Sequence, residues 1–139
     1  KYPGKWAIML ALTSNPSADD FETQTLASGK KVYEEVLERA SGWGNEDNTM
    51  FVVGATKAFV LDNVRKIVSN HFLLVPGIGA QGGSLHDVAA YGMNKRCGLL
   101  VNSSRGIIYA DSSDKFAETA ATKAREVQQE MDALLERYM

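Results

Sequence analysis

Cysteine is almost absent from this sequence of 139 residues, which holds Cys97 alone. A single cysteine excludes an intramolecular disulfide and fits a reducing compartment, so we expect a cytoplasmic protein. Long apolar runs are missing too, since none approaches the roughly 18 residues that a membrane-spanning helix needs. There is no excess of positive charge: the net charge is −2 and both signs are interspersed. The composition therefore predicts neither a membrane protein nor a nucleic-acid-binding protein.

The spacing of a metal site or of a catalytic triad is also missing. The sequence has two histidines, His71 and His86. His71 precedes a predicted strand, at the end where sites do not form, and His86 is predicted on a helix surface. Cys97 is predicted to pack beside a strand rather than to act as a nucleophile. We therefore expect no metal ligands in this chain.

Four short apolar runs alternate with helical segments along the chain. The runs, which we predict to be strands, are 6–12, 49–53, 72–75 and 98–102. The predicted helices are 21–40, 58–70, a short one from Gly83 or Ser84 to about Met93, and 113–138. Continuous apolarity favours strands buried on both faces. Strand–helix alternation without hairpins favours an α/β fold with a parallel sheet.

Two architectures fit this alternation. One is a small open doubly wound sheet, and the other is half of a (β/α)8 barrel, whose usual size of about 250 residues is nearly twice this length. Because the chain starts at Lys1 and enters an apolar run by Trp6, we expect it to start inside a larger fold. A half barrel would expose two apolar edges, so we expect it to aggregate, self-associate or require its other half. In either architecture, sites gather at the carboxyl ends of the strands.

A glycine-rich loop, residues 77–83, follows the third predicted strand. Glycine adopts positive φ and carries no side chain, so backbone N–H groups can converge there on an anion. The helix that begins near Gly83 would add its dipole. A tight strand-to-helix turn explains the loop equally well. The loop lacks the Gly-Lys-Ser/Thr ending of a Walker motif and the acidic residue expected about twenty positions after a dinucleotide fingerprint.

Polar residues after two other strands favour a substrate site. Arg105, in the segment Ser103-Ser104-Arg105-Gly106, can bind a phosphate through two parallel hydrogen bonds. A solvated loop arginine is the alternative, but the glycine loop one strand earlier favours phosphate. Ser14, after the first strand, is predicted either to cap a turn or to hydrogen-bond a substrate. Thr56 is a weaker candidate of the same kind.

Three motifs together resemble the C-terminal half of the orotidine 5'-monophosphate decarboxylases, in their longer bacterial subfamily. They are Thr13-Ser14-Asn15-Pro16, Val75-Pro76-Gly77-Ile78-Gly79-Ala80-Gln81-Gly82-Gly83 and Ser103-Ser104-Arg105-Gly106-Ile107. The second motif is specific to that family, and the other two support it. The resemblance implies that residues 1–139 form strands five to eight of a (β/α)8 TIM barrel whose N-terminal half is absent.

The resemblance also implies a substrate and a set of binding residues. Family members convert orotidine 5'-phosphate to uridine 5'-phosphate in de novo pyrimidine biosynthesis without metal or organic cofactor, usually as homodimers. By resemblance, Ser14 would hydrogen-bond the pyrimidine, and Gln81 would contact the phosphate and reach over the ring. Gly82 is also implied in substrate binding. Arg105, with the backbone near Ser104, would bind the phosphate.

One motif of that family occurs nowhere in this chain. Asp-x-Lys-x-x-Asp carries the lysine that protonates the carbanion, so this chain is expected to hold no catalytic residue and to be inactive alone. Two alternatives remain open. The chain could come from another phosphate-binding barrel enzyme, such as a sugar-phosphate epimerase or synthase. It could also be a self-standing phosphate-binding α/β module.

Overall fold

A computed structural model describes residues 3–79 and 82–139. Within these residues, one sheet contains four strands: β1 (Ala7–Leu12), β2 (Thr49–Val53), β3 (Phe72–Pro76) and β4 (Leu99–Asn102). All neighbouring strands are parallel, and their order in the sheet is their order in the chain. The predicted α/β fold with a parallel sheet is confirmed, and each predicted strand lies within a residue of its observed bounds.

Helices connect the strands. They are α1 (Ala18–Phe21), α2 (Val32–Ser41), α3 (Val60–Ile67), α4 (Leu85–Gly92), α5 (Ser104–Ile108) and α6 (Phe116–Tyr138). The prediction of one helix over 21–40 is wrong, because Thr25 pairs with Lys31 across a tight turn in which Gly29 has a φ of +85°. Glycine reaches that conformation without the penalty of a Cβ. The segment from Ser104 was predicted as a loop and is instead the start of α5.

The core lies between the helices and one face of the sheet. Phe51, Leu73 and Val75 cover this face and are fully buried, as are Leu37 of α2 and Leu61 of α3. These apolar contacts are the main source of stability for the fold.

Two apolar residues of the predicted helices 21–40 and 58–70 lie outside the core. Leu26 belongs to the turn between α1 and α2, and Phe59 precedes α3 and is 66% exposed. The buried residues of the two helices are Tyr33, Leu37 and Ala40 in α2 and Leu61 and Val64 in α3. The helical periodicity therefore predicted part of each buried face, although both helices begin later than predicted.

The other face of the sheet is apolar but only partly covered. This open sheet face consists of Ile8, Leu10, Met50, Val52, Phe72, Leu74 and Leu100, which pair in register across the strands. Its edge residues are the most accessible: Ile8 is 52%, Leu10 58% and Leu100 50% exposed. The prediction that β1 is buried on both faces is therefore wrong for the described residues, because helices pack against only one of them.

A partly buried arginine connects the segments at the amino edge of the sheet. The Nε of Arg65 donates to the carbonyl of Gly92 at 2.6 Å, and Nη2 donates to that of Gly98 at 2.8 Å. Nη1 donates to the carbonyls of His71 at 2.7 Å and Val68 at 3.2 Å. Burial lowers the pKa of Arg65 to about 10, so the guanidinium remains charged at neutral pH. It joins the ends of α3 and α4 to the starts of β3 and β4.

Candidate functional site

The loops after β3 and β4 form a cleft at the carboxyl edge of the sheet. It is lined by Pro76, Gly77, Ile78, Asn102, Ser103, Ser104 and Arg105. Neighbouring parallel strands end at the same edge, so β3 and β4 bring the glycine loop and the Arg105 segment together. This is the edge at which α/β folds place their ligands.

The glycine loop closes on itself through backbone hydrogen bonds. Gly83 N–H donates to the Gly77 carbonyl at 3.1 Å, Gly79 N–H to the Gly83 carbonyl at 2.9 Å, and Gly82 N–H to the Gly79 carbonyl at 2.7 Å. Gly77, Gly79 and Gly82 all have positive φ, between +72° and +99°. These three N–H groups are engaged within the loop and hold its shape. Gln81, the predicted phosphate contact, lies outside the described residues.

Space beside the loop is limited at Gly83. A Cβ at that position would lie 2.6 Å from the carbonyl oxygen of Gly77 and 2.6 Å from the Cβ of Ala55. Real Cβ atoms do not approach other atoms so closely, so position 83 requires glycine. The sequence prediction that Ser84 can cap the following helix is confirmed, because its Oγ accepts a hydrogen bond from the N–H of Asp87 at 3.1 Å.

Arg105 lies in the first turn of α5, at the mouth of the cleft. Its side chain is exposed and forms no ion pair with a carboxylate of the described residues. Next to it, Ser104 Oγ donates to Oδ1 of Asn102 at 3.1 Å. The guanidinium is therefore available for an anionic ligand, and its fork of N–H donors matches a phosphate.

Ser14 lies after β1 with a hydroxyl that has no partner. Its Oγ is buried and forms no hydrogen bond among the described residues. It lies against the backbone of Gly54, where a Cβ would come within 2.0 Å of it. A buried hydroxyl without a partner is costly, and a polar group of a ligand would supply the missing bond.

The loop that carries Ser14 is fixed by a carboxylate which sequence reasoning missed. Glu22 Oε2 accepts hydrogen bonds from the N–H of Thr13 at 2.6 Å and from its hydroxyl at 3.1 Å. No motif marks Glu22, because the contact arises from the fold of the segment after α1. Thr56, the weaker candidate, lines a second cleft together with Gly82 and Ser84.

Ser14 and Arg105 lie at opposite ends of this edge. They follow β1 and β4, which are separated by two strands. With strands about 4.8 Å apart, their separation is on the order of 14 Å. A ligand that contacts both must be elongated, with a hydrogen-bonding group at one end and an anion at the other.

The part of the chain that the structure describes gives no support for a membrane-spanning helix or for a metal site. No helix there is long and apolar enough to cross a membrane. No group of three or more His, Cys, Asp or Glu side chains there could hold a metal ion. His71 lies at the amino edge, away from the cleft, and His86 is exposed on α4, as predicted.

The parallel sheet in chain order, its helices and the polar cleft at its carboxyl edge define an α/β protein with a candidate anion site. No family model matches the sequence. A curated relative, the orotidine 5'-phosphate decarboxylase of Bacteroides fragilis, is 55% identical over 130 residues, which make up 94% of this chain and 47% of the relative. The predicted resemblance to the orotidine 5'-phosphate decarboxylases is therefore confirmed.

Solved structures agree with the sequence comparison. The structure of Leishmania donovani OMP decarboxylase is similar with a TM-score of 0.77 and 34% identity, over 96% of this chain and 49% of that one. Leishmania donovani UMP synthase matches with a TM-score of 0.79 and 38% identity, over 96% of this chain and 28% of that one. The chain spans about half the length of the curated relatives it matches, and its four strands correspond to about half of a decarboxylase TIM barrel.

Proposed function

We propose that this chain is the C-terminal half of an orotidine 5'-phosphate decarboxylase, comprising strands five to eight of its barrel. The main support is the 55% identity to such an enzyme over 94% of the chain. The open sheet face and the free edges of β1 and β4 also support it, because strands completing a barrel would cover both. A complete barrel has no sheet edges.

In this proposal the chain binds the substrate's phosphate and part of its pyrimidine. Arg105 binds the phosphate with its guanidinium, together with the backbone near Ser104 and the glycine loop through Gln81 and Gly82. Ser14 donates or accepts a hydrogen bond at the pyrimidine ring, which satisfies its buried hydroxyl. The elongated spacing between Ser14 and Arg105 fits a nucleotide, whose base and phosphate lie at opposite ends.

The bond-breaking step requires groups that the described site does not supply. Loss of carbon dioxide leaves an electron pair on a ring carbon, so the transition state needs a preorganised cation and a proton donor beside that atom. We assign both to the Asp-x-Lys-x-x-Asp motif of the missing half. Contacts to the remote phosphate contribute binding energy that positions the ring for reaction. The chain alone is then inactive, and the complete enzyme is a cytoplasmic homodimer that uses no cofactor.

A reconstitution experiment tests the proposal. This chain is co-expressed with the half of the Bacteroides fragilis decarboxylase that it does not cover, and carbon dioxide release from orotidine 5'-phosphate is measured. We expect activity only when both halves are present. An assembled but inactive pair would contradict the proposal. Retained phosphate binding in such a pair would favour a sugar-phosphate enzyme instead.

Arg105→Ala in the active pair tests the phosphate contact. Hydrogen bonds to charged groups contribute about 1.5–3 kcal/mol each. Losing two of them should raise the activation free energy that governs kcat/KM by at least about 3 kcal/mol, which lowers kcat/KM roughly 100-fold or more. Arg39→Ala is the matched control, because Arg39 is exposed on α2 and pairs only with Glu35. An unchanged kcat/KM in Arg105→Ala would refute the role of Arg105.

A further inference from the structure

Ser103 connects the two loops of the cleft. Its hydroxyl donates to the carbonyl oxygen of Ile78 at 3.0 Å, across 25 positions of sequence. Ser103 directly precedes α5, at the position where a serine side chain usually accepts a hydrogen bond from its own helix. Here it makes no such bond. The side chain therefore connects the Arg105 segment to the glycine loop instead of capping α5.

The acceptor belongs to a well-fixed part of the glycine loop. Ile78 is 6% exposed and its backbone forms a parallel bridge with Gly83. Gly83 is itself confined by Gly77 and Ala55. A bond to Ile78 thus attaches the start of α5 to a rigid point rather than to a freely moving chain.

Gly106 leaves room for this orientation of Ser103. A Cβ at position 106 would lie 2.8 Å from the Oγ of Ser103. A side chain there would push the hydroxyl into another rotamer and away from Ile78. The presence of glycine at 106 is therefore an independent requirement for the same contact.

We propose that Ser103 is a positioning residue for phosphate binding. Its bond to Ile78 holds the Arg105 segment and the glycine loop at the separation that one phosphate in contact with both requires. Ser103 acts through these neighbours, and its own hydroxyl is occupied by Ile78. The inference rests on the proposed function, because it assumes that the phosphate of a nucleotide is the ligand of this cleft.

Binding of two ligands by the reconstituted pair of halves, described under the proposed function, tests the proposal. Isothermal titration calorimetry measures the affinity for uridine 5'-phosphate and for uridine, which lacks the phosphate. Ser103→Ala should weaken the binding of uridine 5'-phosphate about fivefold to tenfold, the usual effect of one hydrogen bond. It should leave the binding of uridine unchanged. Ser103→Thr, which keeps the hydroxyl, should restore the affinity.

Two further variants make the result decisive. Gly106→Ala keeps the serine but displaces its hydroxyl, and it should produce the same phosphate-selective loss. If thermal melting shows that Ser103→Ala does not fold, Gly106→Ala still tests the positioning role of Ser103. Ser41→Ala is the matched control, because Ser41 Oγ also donates to a backbone carbonyl, that of Glu38 at 2.9 Å, but at the end of α2, outside the cleft.

Each other outcome overturns one of the two proposals. Wild-type affinity for uridine 5'-phosphate in both Ser103→Ala and Gly106→Ala would refute the positioning role. Equal losses for uridine and uridine 5'-phosphate would refute it as well, because they would reflect a general loosening of the site. If the wild-type pair binds uridine 5'-phosphate no better than uridine, the phosphate site of the proposed function fails, and the role of Ser103 fails with it.

Discussion

Polar side chains withdrawn from solvent occur at both edges of the sheet, but their surroundings differ. At the amino edge, the guanidinium of Arg65 is matched by four backbone carbonyls. At the carboxyl edge, the hydroxyl of Ser14 has no partner among the described residues. A satisfied buried group stabilises the fold, whereas an unsatisfied one is available to a ligand. Stability and binding are thus assigned to opposite ends of the strands, as in barrel enzymes generally.

Replacement of Arg65 should destabilise the fold strongly. Arg65→Met leaves four carbonyls without their donor, so we expect the free energy of unfolding to fall by about 3 kcal/mol or more. Arg65→Lys should lower the free energy of unfolding less, because the lysine ammonium can still donate to some of the four carbonyls. Urea denaturation measures both, with Arg39→Met on the exposed side of α2 as the control. Wild-type stability in Arg65→Met would contradict the assigned role.

His71 should make stability depend on pH. Burial lowers the pKa of His71 below its usual 6.5, and its Nε2 has no hydrogen-bond partner among the described residues. The unfolded chain therefore binds a proton more readily than the folded one. The free energy of unfolding should decrease as the pH falls below about 6.5. Urea denaturation at pH 7.5 and at pH 5.5 measures this difference. The free energy of unfolding should decrease less between the two pH values in His71→Gln than in the wild type.

His86→Gln is the control for this comparison, because His86 is exposed on α4. It should keep the pH dependence of the wild type. The same decrease in His71→Gln as in the wild type would show that other groups cause it.

At the scale of elements, the apolar runs predicted the strands well because each run ends at a glycine, proline or polar turn. The helices were harder to predict. Helical periodicity over 21–40 continues across Gly29, whose positive φ reverses the chain there. Helix α5 was missed because Ser103-Ser104-Arg105-Gly106 is typical of a loop. The cleft motifs were found by sequence because they are local, whereas the contacts of Glu22 and Arg65 depend on the folded chain.

The start of α4 offers a prediction at this scale. Ser84→Ala removes the side-chain acceptor for the N–H of Asp87 and should lower the free energy of unfolding by about 1 kcal/mol. Ser84→Asp keeps an acceptor and should be close to the wild type in urea denaturation. Equal destabilisation by both substitutions would show that the hydroxyl is required for another reason.

The whole molecule carries an apolar sheet face that its own helices leave uncovered. Exposed apolar edges of parallel strands promote association with other chains. We therefore expect the chain alone to self-associate in sedimentation velocity, and Ile8→Gln combined with Leu100→Gln to reduce this association. Phe21→Gln is the control, since Phe21 is 75% exposed but lies in α1 rather than on the sheet. A monodisperse wild-type monomer that unfolds cooperatively would count against the half-barrel proposal.

The sheet adds its strands in the order in which the chain presents them. Each new strand joins the one made just before it, after one helical crossover segment, so no pairing among these four strands skips a strand. Pairing between consecutive units keeps the entropy cost of loop closure lower than pairing between distant units would. It also allows folding to advance unit by unit while the chain is still being synthesised. The boundaries between strand–helix units are then natural points at which this architecture can be divided and rejoined.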